Sequence, residues 1–187
     1  MSEIIREMTE RRARRAISEE SIPRDVLERT FNAAILAPSC NNKQPWRFLV
    51  CTADGSVETA REALLGGNYW AKKAPVLVVV MTSYELDCKL TDDRNYAWFD
   101  TGMAVGNLLL QATREGLYAH PMAGFDPFVL REKFNIGDDT RIITMIAIGK
   151  PGDSDHLNEK HLESETSQRS RKAIDEVFSL EKWEGLK

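Results

Sequence analysis

Two stretches of this sequence carry residue types at spacings that could do chemistry. The first is Arg11-Arg12-Ala13-Arg14-Arg15. Four cations in five residues repel one another unless an anion gathers them, and the planar, paired donors of a guanidinium suit a phosphate. On a helix, residues 11, 14 and 15 share a face, with residue 12 about 100° away. A solvated basic helix end is the other reading, and the cluster alone leaves both open. The second stretch is Ala37-Pro38-Ser39-Cys40-Asn41-Asn42-Lys43-Gln44-Pro45-Trp46. Its two prolines bracket a non-helical loop, its Ser, Asn and Gln side chains can hydrogen-bond a polar planar ligand, and Trp46 anchors it in a core. An ordinary helix-to-strand connection needs none of this. Cys40 reads either as a redox thiol or as a small packed residue.

Other constellations are missing. His120, His156 and His161 show neither HExxH nor i,i+4 pairing, so no metal site is expected. There is no GxSxG elbow, no GxxxxGK[ST] loop and no GxGxxG turn, which argues against those hydrolase, P-loop and Rossmann chemistries. Asp92-Asp93 and the acidic run from Glu159 to Glu165 read as solvated surface. Tyr69 and Trp70 fit either a core or a channel wall.

Arg11-Arg12-x-x-Arg15 followed by A-P-S-x-x-N-x-Q-P-W-x-F resembles the nitroreductase family. Further matches are Ala74-Pro75-Val76, Gly106-Asn107-Leu108-Leu109-Leu110, Gly116-Leu117, Ala123-Gly124-Phe125-Asp126, Ile148-Gly149-Lys150-Pro151 and the segment from Arg169 to Val177. The resemblance spans nearly the whole chain. It implies a single FMN-binding domain over residues 1–187, an α+β three-layer fold with a central mixed sheet covered by helices, and a homodimer with FMN at the subunit interface.

It also implies roles for particular residues. Arg11, Arg12, Ala13 and Arg15 would hold FMN from one chain, with Arg11 at the phosphate and Arg15 near the pyrimidine edge of the ring. Pro38, Ser39, Cys40, Asn42 and Gln44 would come from the other chain. Ala123 and Gly124 would face the isoalloxazine, Asn68 would be a further ring contact, and Arg169 and Arg171 would return to the phosphate. No side chain is expected to be catalytic, because the flavin carries the chemistry and the protein tunes and positions it. The implied activity is ping-pong hydride transfer from NADH or NADPH through FMN to an electron-poor small molecule such as a nitroaromatic or quinone. Dehalogenation, flavin fragmentation, dehydrogenation and non-catalytic flavin binding are the alternatives on the same scaffold. Ala13 and Ala123 stand where family members often carry Ser and Glu, which affects the substrate assignment and leaves the phosphate clamp intact.

These residues must be positioned by surrounding elements. Residues 2–16 read as a helix. A second helix starts near Ser21-Ile22-Pro23, shows the stripe Val26, Leu27, Thr30, Phe31, Ala34, Ile35, and stops before Pro38. Residues 47–52 read as a strand, and 56–65 as a helix ended by Gly66-Gly67. The apolar run 75–82 reads as a buried central strand. Residues 83–94 read as a loop or lid, 95–115 as a long helix, 127–134 as a short helix and 141–149 as a strand. Gly102 and Gly106, one turn apart, permit close approach of another backbone. The tail from residue 170 ends on Val177, Phe178, Leu180 and Trp183. It is too apolar for a free end, and is expected to dock on the partner subunit.

Composition bounds the rest. The chain has 187 residues, 42% hydrophobic and 29% charged, with a net charge of -4. That suits one globular domain and disfavours nucleic acid as a partner. No targeting or membrane-spanning segment is expected. Three cysteines without CxxC argue against a disulfide framework and for a reducing cytoplasm.

Overall fold

The computed structural model describes residues 4–52, 55–183 and 185. Its centre is a four-stranded sheet in the order β1-β2-β4-β3, formed by β1 (Arg47–Cys51), β2 (Val76–Ser83), β3 (Tyr118–Met122) and β4 (Thr140–Gly149). Every pair is antiparallel, in place of the mixed sheet expected. The run of Val and Leu in β2 lies in the middle of the sheet, where both faces are covered, so it needs no polar alternation. Val76, Val78 and Val80 face one side with Ile146 and Ile148 of β4. Leu77 and Val79 face the other side with Met145 and Ala147.

Helix α2 (Arg24–Ile35) and helix α4 (Tyr96–Arg114) cover the first face, contributing Leu27, Ala34, Leu108 and Ala112. Helix α3 (Ser56–Arg61), helix α5 (Pro127–Phe134) and buried Trp70 cover the second. Three layers result, with helices α1 (Arg6–Glu10), α6 (Glu159–Thr166) and α7 (Ile174–Val177) at the periphery. Asp126 caps α5, its carboxylate accepting from the Phe128 and Val129 amides, with Pro127 in the first turn. Among the described residues no helix is long and apolar enough to cross a membrane.

Several expectations change. The helix expected over 2–16 (Ser2 and Glu3 lie outside the described residues) is confined to α1, and the chain runs extended from Arg11. Tertiary hydrogen bonds explain this. The Ser18 amide donates to Lys150 O and the Gly152 amide to Ala16 O, 2.9 and 2.8 Å, so this backbone is satisfied outside a helix. The helix expected over 56–65 stops early for the same reason. Ala63 O accepts from the Asp126 amide and the Leu65 amide donates to Gly124 O, so Gly66-Gly67 begins a 3-10 segment over Gly66–Lys73. Strand β3 and helix α6 were not expected: His120-Pro121 interrupts the apolar pattern of the first, and the second carries a single large apolar residue, Leu162. Pro121 is tolerated because β3 is an edge strand.

Gly102 and Gly106 meet nothing within 4 Å even with a Cβ added, so no backbone of the same chain approaches them. The tail does not dock on its own body: Ile174, Phe178, Leu180 and Trp183 are 73%, 58%, 75% and 73% exposed. Cys40 and Cys88 form a disulfide, contrary to expectation, with 5.9 Å between their Cα atoms. They lie 48 residues apart in sequence, and only the packing of two loops brings them together.

Candidate active site

The arginine segment is held in place by a distant part of the chain. Asn158 caps α6 by accepting from the His161 amide, and α6 then presents Glu165 to the arginines. Glu165 accepts from the Arg15 amide at 2.7 Å and pairs with Arg14 at 3.9 Å. Arg12 donates to Ser167 O at 2.7 Å. Arg169 donates to Met8 O at 3.0 Å and also to Arg11 O. Residues 11–15 and 165–171, far apart in sequence, therefore form one unit. Arg11, Arg12, Arg169 and Arg171 have no carboxylate partner among the described residues' ion pairs. Burial, and the charges of Arg169, Arg171 and Arg12 around it, lower the Arg11 pKa from its usual value. An anion placed here would relieve the repulsion among these cations.

Beneath Arg15 lies a ring cluster that sequence reasoning did not find. Trp70 is a core residue, 1% exposed, and its ring packs 4.5 Å from His120. Arg15 stands 5.9 Å over that indole. His120 Nδ1 donates to Arg14 O, 3.0 Å away. Tyr69 stacks on His161, and its hydroxyl accepts from the Asn158 amide at 2.8 Å. The rings and α6 thus set the height and direction of Arg14 and Arg15. No local pattern in the sequence signals this, because the partners lie 50 to 150 residues apart.

The site predicts a measurable acid sensitivity. Burial holds His120 down to about 4, well below the ordinary imidazole value of 6.5. The unfolded ring takes up its proton near 6.5 and the folded ring only near 4. Protons therefore favour the unfolded chain, and this contribution is complete above pH 6.5 and lost as pH falls toward 4. The loss is about 3 kcal/mol. Urea midpoints at pH 7 and pH 4.5 should diverge for the native protein and converge for His120→Gln. An equal acid slope in both proteins would count against the assignment.

Asn68 and Gly124 are brought together: Asn68 Nδ2 donates to Gly124 O at 2.7 Å. A Cβ on Gly124 would meet that nitrogen at 2.8 Å, so only glycine leaves the amide where it is. Ala123, next to Gly124, and Ala13, between Arg12 and Arg14, are exposed.

The loop from Pro38 to Gln44 is tied mostly to itself. Ser39 Oγ accepts from the Gln44 amide at 3.0 Å, Gln44 Nε2 donates to Asn42 Oδ1 at 3.1 Å, and the Cys40 amide donates to Asp100 Oδ2 at 3.0 Å. Asp100 is buried in α4, and its other oxygen has no partner. Trp46 packs against Ala37 and Ala104 and anchors the loop as expected. Asn41, Asn42 and Gln44 adopt left-handed backbone, with φ of 49°, 54° and 47°. A non-glycine run of this kind is held only where side-chain bonds over-determine it, and it leaves Asn42 and Gln44 facing solvent.

Within one chain the arginine unit and this loop make no hydrogen bond to each other among the described residues. They approach along α4, where Met8 and Arg11 on one side and Pro38 on the other line a pocket of about 380 Å³. A larger cavity, about 790 Å³, lies elsewhere, between α2, β1 and α3, and none of the candidate residues lines it. Among the described residues no group of three or more His, Cys, Asp or Glu could hold a metal ion.

Known proteins are similar to this chain in sequence and fold. A family model described as the nitroreductase family matches residues 8–68 and 52–150. A Mycolicibacterium smegmatis protein described as an uncharacterized 15.4 kDa protein is 33% identical over 132 residues, covering 70% of this chain and 86% of its own. An NADH dehydrogenase of Thermus thermophilus is 27% identical, covering 76% of this chain and 84% of its own. A solved structure described as an oxidoreductase containing FMN superposes with a TM-score of 0.88 at 28% identity, covering 100% of this chain and 95% of its own. A nitroreductase family protein of Clostridium difficile gives 0.78 at 21% identity over 97% and 100% of the two chains, a likeness of fold alone.

Proposed function

The chain belongs to the nitroreductase family of oxidoreductases, and on that premise we propose that it is an FMN-dependent enzyme. It takes hydride from NADH or NADPH and passes it, in ping-pong alternation, to an electron-poor acceptor such as a nitroaromatic or quinone. The observation that carries this reading is the guanidinium cluster of Arg11, Arg12, Arg169 and Arg171, which draws on both ends of the chain and pairs with no carboxylate among the described residues. FMN's phosphate is the anion that fits.

The remaining candidates fit the rest of the cofactor. Arg15, fixed over Trp70, would lie by the ring's pyrimidine edge, where a cation favours the reduced form. Asn68 and the backbone of Ala123-Gly124 would meet the ring, and Pro38, Ser39, Cys40, Asn42 and Gln44 would close around it. Bound FMN supplies the hydride chemistry. The chain's own groups bind, orient and leave one face open to donor and acceptor in turn, so no side chain need act as acid or base.

We further propose a homodimer with FMN at the interface. Trp98, 41% exposed, shares a face of α4 with exposed Gly102 and half-buried Gly106, and small residues on such a face let a second helix approach closely. The apolar tail would dock on the partner, since Ile174, Phe178, Leu180 and Trp183 are left exposed by the described residues of their own chain.

Steady-state rates with FMN-loaded protein, varying NADH or NADPH against a quinone, test the reading. Parallel double-reciprocal lines are expected. Intersecting lines would rule out the alternating cycle, and no NAD(P)H oxidation would remove the enzyme assignment.

A further inference from the structure

We propose that the Cys40–Cys88 cross-link is a redox latch: when oxidised it pins residues 84–95 against the 38–44 loop, and when reduced it lets that segment swing away from the pocket between them. The pocket, about 560 Å³, has Leu90 and Arg94 on one wall and Pro38, Ser39, Phe99 and Met103 on the other. Its role as an approach to the flavin rests on the function proposed above.

Three observations set this bridge apart from a structural staple. First, although Asp87 is buried and Leu86 and Leu90 are half-buried, hydrogen bonds and ion pairs give the 84–95 segment little hold on the body. Among the described residues its hydrogen bonds and ion pairs are all local: Glu85 amide to Ser83, Asp87 amide to Tyr84, Cys88 amide to Asp87, and Arg94 to Asp92. The Tyr84 ring under Arg141 ties down only its first residue. A segment held this weakly is at the low end of local stability unless something covalent restrains it.

Second, the two anchor points differ. The Cys40 amide is fixed by buried Asp100 at 3.0 Å, whereas Cys88 sits in the weakly held segment, so breaking the bond releases one side and leaves the other in place. Third, the joined segments hold five of the seven left-handed non-glycine residues among those described: Asn41, Asn42 and Gln44 on one side, Lys89 and Asp93 on the other. Such residues persist where surroundings over-determine them, and the cross-link is the restraint the two segments share. Neither cysteine belongs to a core cluster, and a chain of this size has core enough to fold without a bridge.

The switching chemistry is thiol–disulfide exchange with a dithiol. A thiolate of the dithiol attacks one sulfur of the bridge and releases the other as a thiolate, which takes a proton. The dithiol's second sulfur then displaces the mixed disulfide. Cys40 and Cys88 end as thiols and the dithiol as its own disulfide, two electrons having passed.

Thiol titration and limited trypsin digestion of the full chain with FMN added test the proposal, with dithiothreitol as the probe. Air-oxidised protein in denaturant should titrate one thiol, from Cys51, and three after reduction. Trypsin cleavage after Lys89 and Arg94, followed by mass spectrometry under native conditions, should rise at least about tenfold on reduction. Cys88→Ser should cleave at the fast rate with or without dithiothreitol. Three titratable thiols in the air-oxidised protein, or equal cleavage in both states, would overturn the latch. Flavin absorption recorded on the same samples keeps the two ideas apart: dithiol-dependent cleavage in a protein that never takes up FMN supports the latch and removes the proposed function.

Discussion

Arg11→Ala is expected to weaken FMN binding by about 100-fold while leaving the melting temperature of the flavin-free protein unchanged or slightly raised. The magnitude follows from losing a bidentate guanidinium at a phosphate, where each charge-assisted hydrogen bond contributes about 1.5–3 kcal/mol. The split follows from the surroundings. Arg11 is crowded by Arg169, Arg171 and Arg12, so without an anion its charge is a liability. Removing it relieves repulsion in the free chain and costs binding energy only in the complex. Arg11→Lys should fall between, because it keeps the charge and loses the paired donors. Flavin fluorescence titration beside a thermal melt checks both halves. A variant that binds FMN normally would place the phosphate elsewhere, and one that loses stability and affinity together would make Arg11 a structural residue.

Gly152→Ala is expected to destabilise the fold by about 3 kcal/mol, although the residue lies outside every candidate contact. A Cβ there would stand 2.6 Å from the Ser18 amide nitrogen and 2.8 Å from the Ile17 carbonyl carbon. Both are backbone atoms, and they belong to the isolated bridge of Ile17 with Pro151 that holds the arginine segment extended. Ile17 is itself 1% exposed, so the segment cannot shift without opening the core. Denaturant unfolding measures the loss. A second consequence distinguishes this from a general core defect: FMN affinity should drop even where the variant is fully folded, because Arg11–Arg15 lose their seat. A folded variant with native affinity would mean that the bridge does not position the arginines.

The sequence made the layers of this fold legible where one physical signal dominated. The β-branched run of β2 is buried on both faces, the stripe of α2 turns to the sheet except for Ile35, which is 49% exposed, and α4 ends at Arg114, two residues before the left-handed Gly116 that its pattern placed at the close. Legibility failed where distant backbone replaced local hydrogen bonds. Residues 11–16 pass for a helix by composition and leave it because distant groups supply partners: His120 for Arg14 O, Glu165 for the Arg15 amide, and Gly152 for Ala16 O. Residues 62–67 leave the helix because they pair with 124–126. The site shows the same division. The two motifs were visible as motifs, and the structure joins Arg11 to Arg169 and Asn68 to Gly124. The ring cluster of Trp70 and His120, the Glu165 anchor and the Cys40–Cys88 bridge have no local signature, since each depends on residues that meet only in the folded chain.

In the proposed function, the guanidinium cluster and the 38–44 loop hold FMN for hydride transfer. The most direct measurement is the visible absorption spectrum of the purified protein, recorded without oxygen before and after NADH or NADPH is added. The expected result is a yellow protein, or one that turns yellow and holds FMN through gel filtration, whose flavin bands bleach on adding the nicotinamide and return when a quinone follows. A protein that stays colourless after incubation with FMN, or whose bound flavin is not reduced by either nicotinamide, would contradict it.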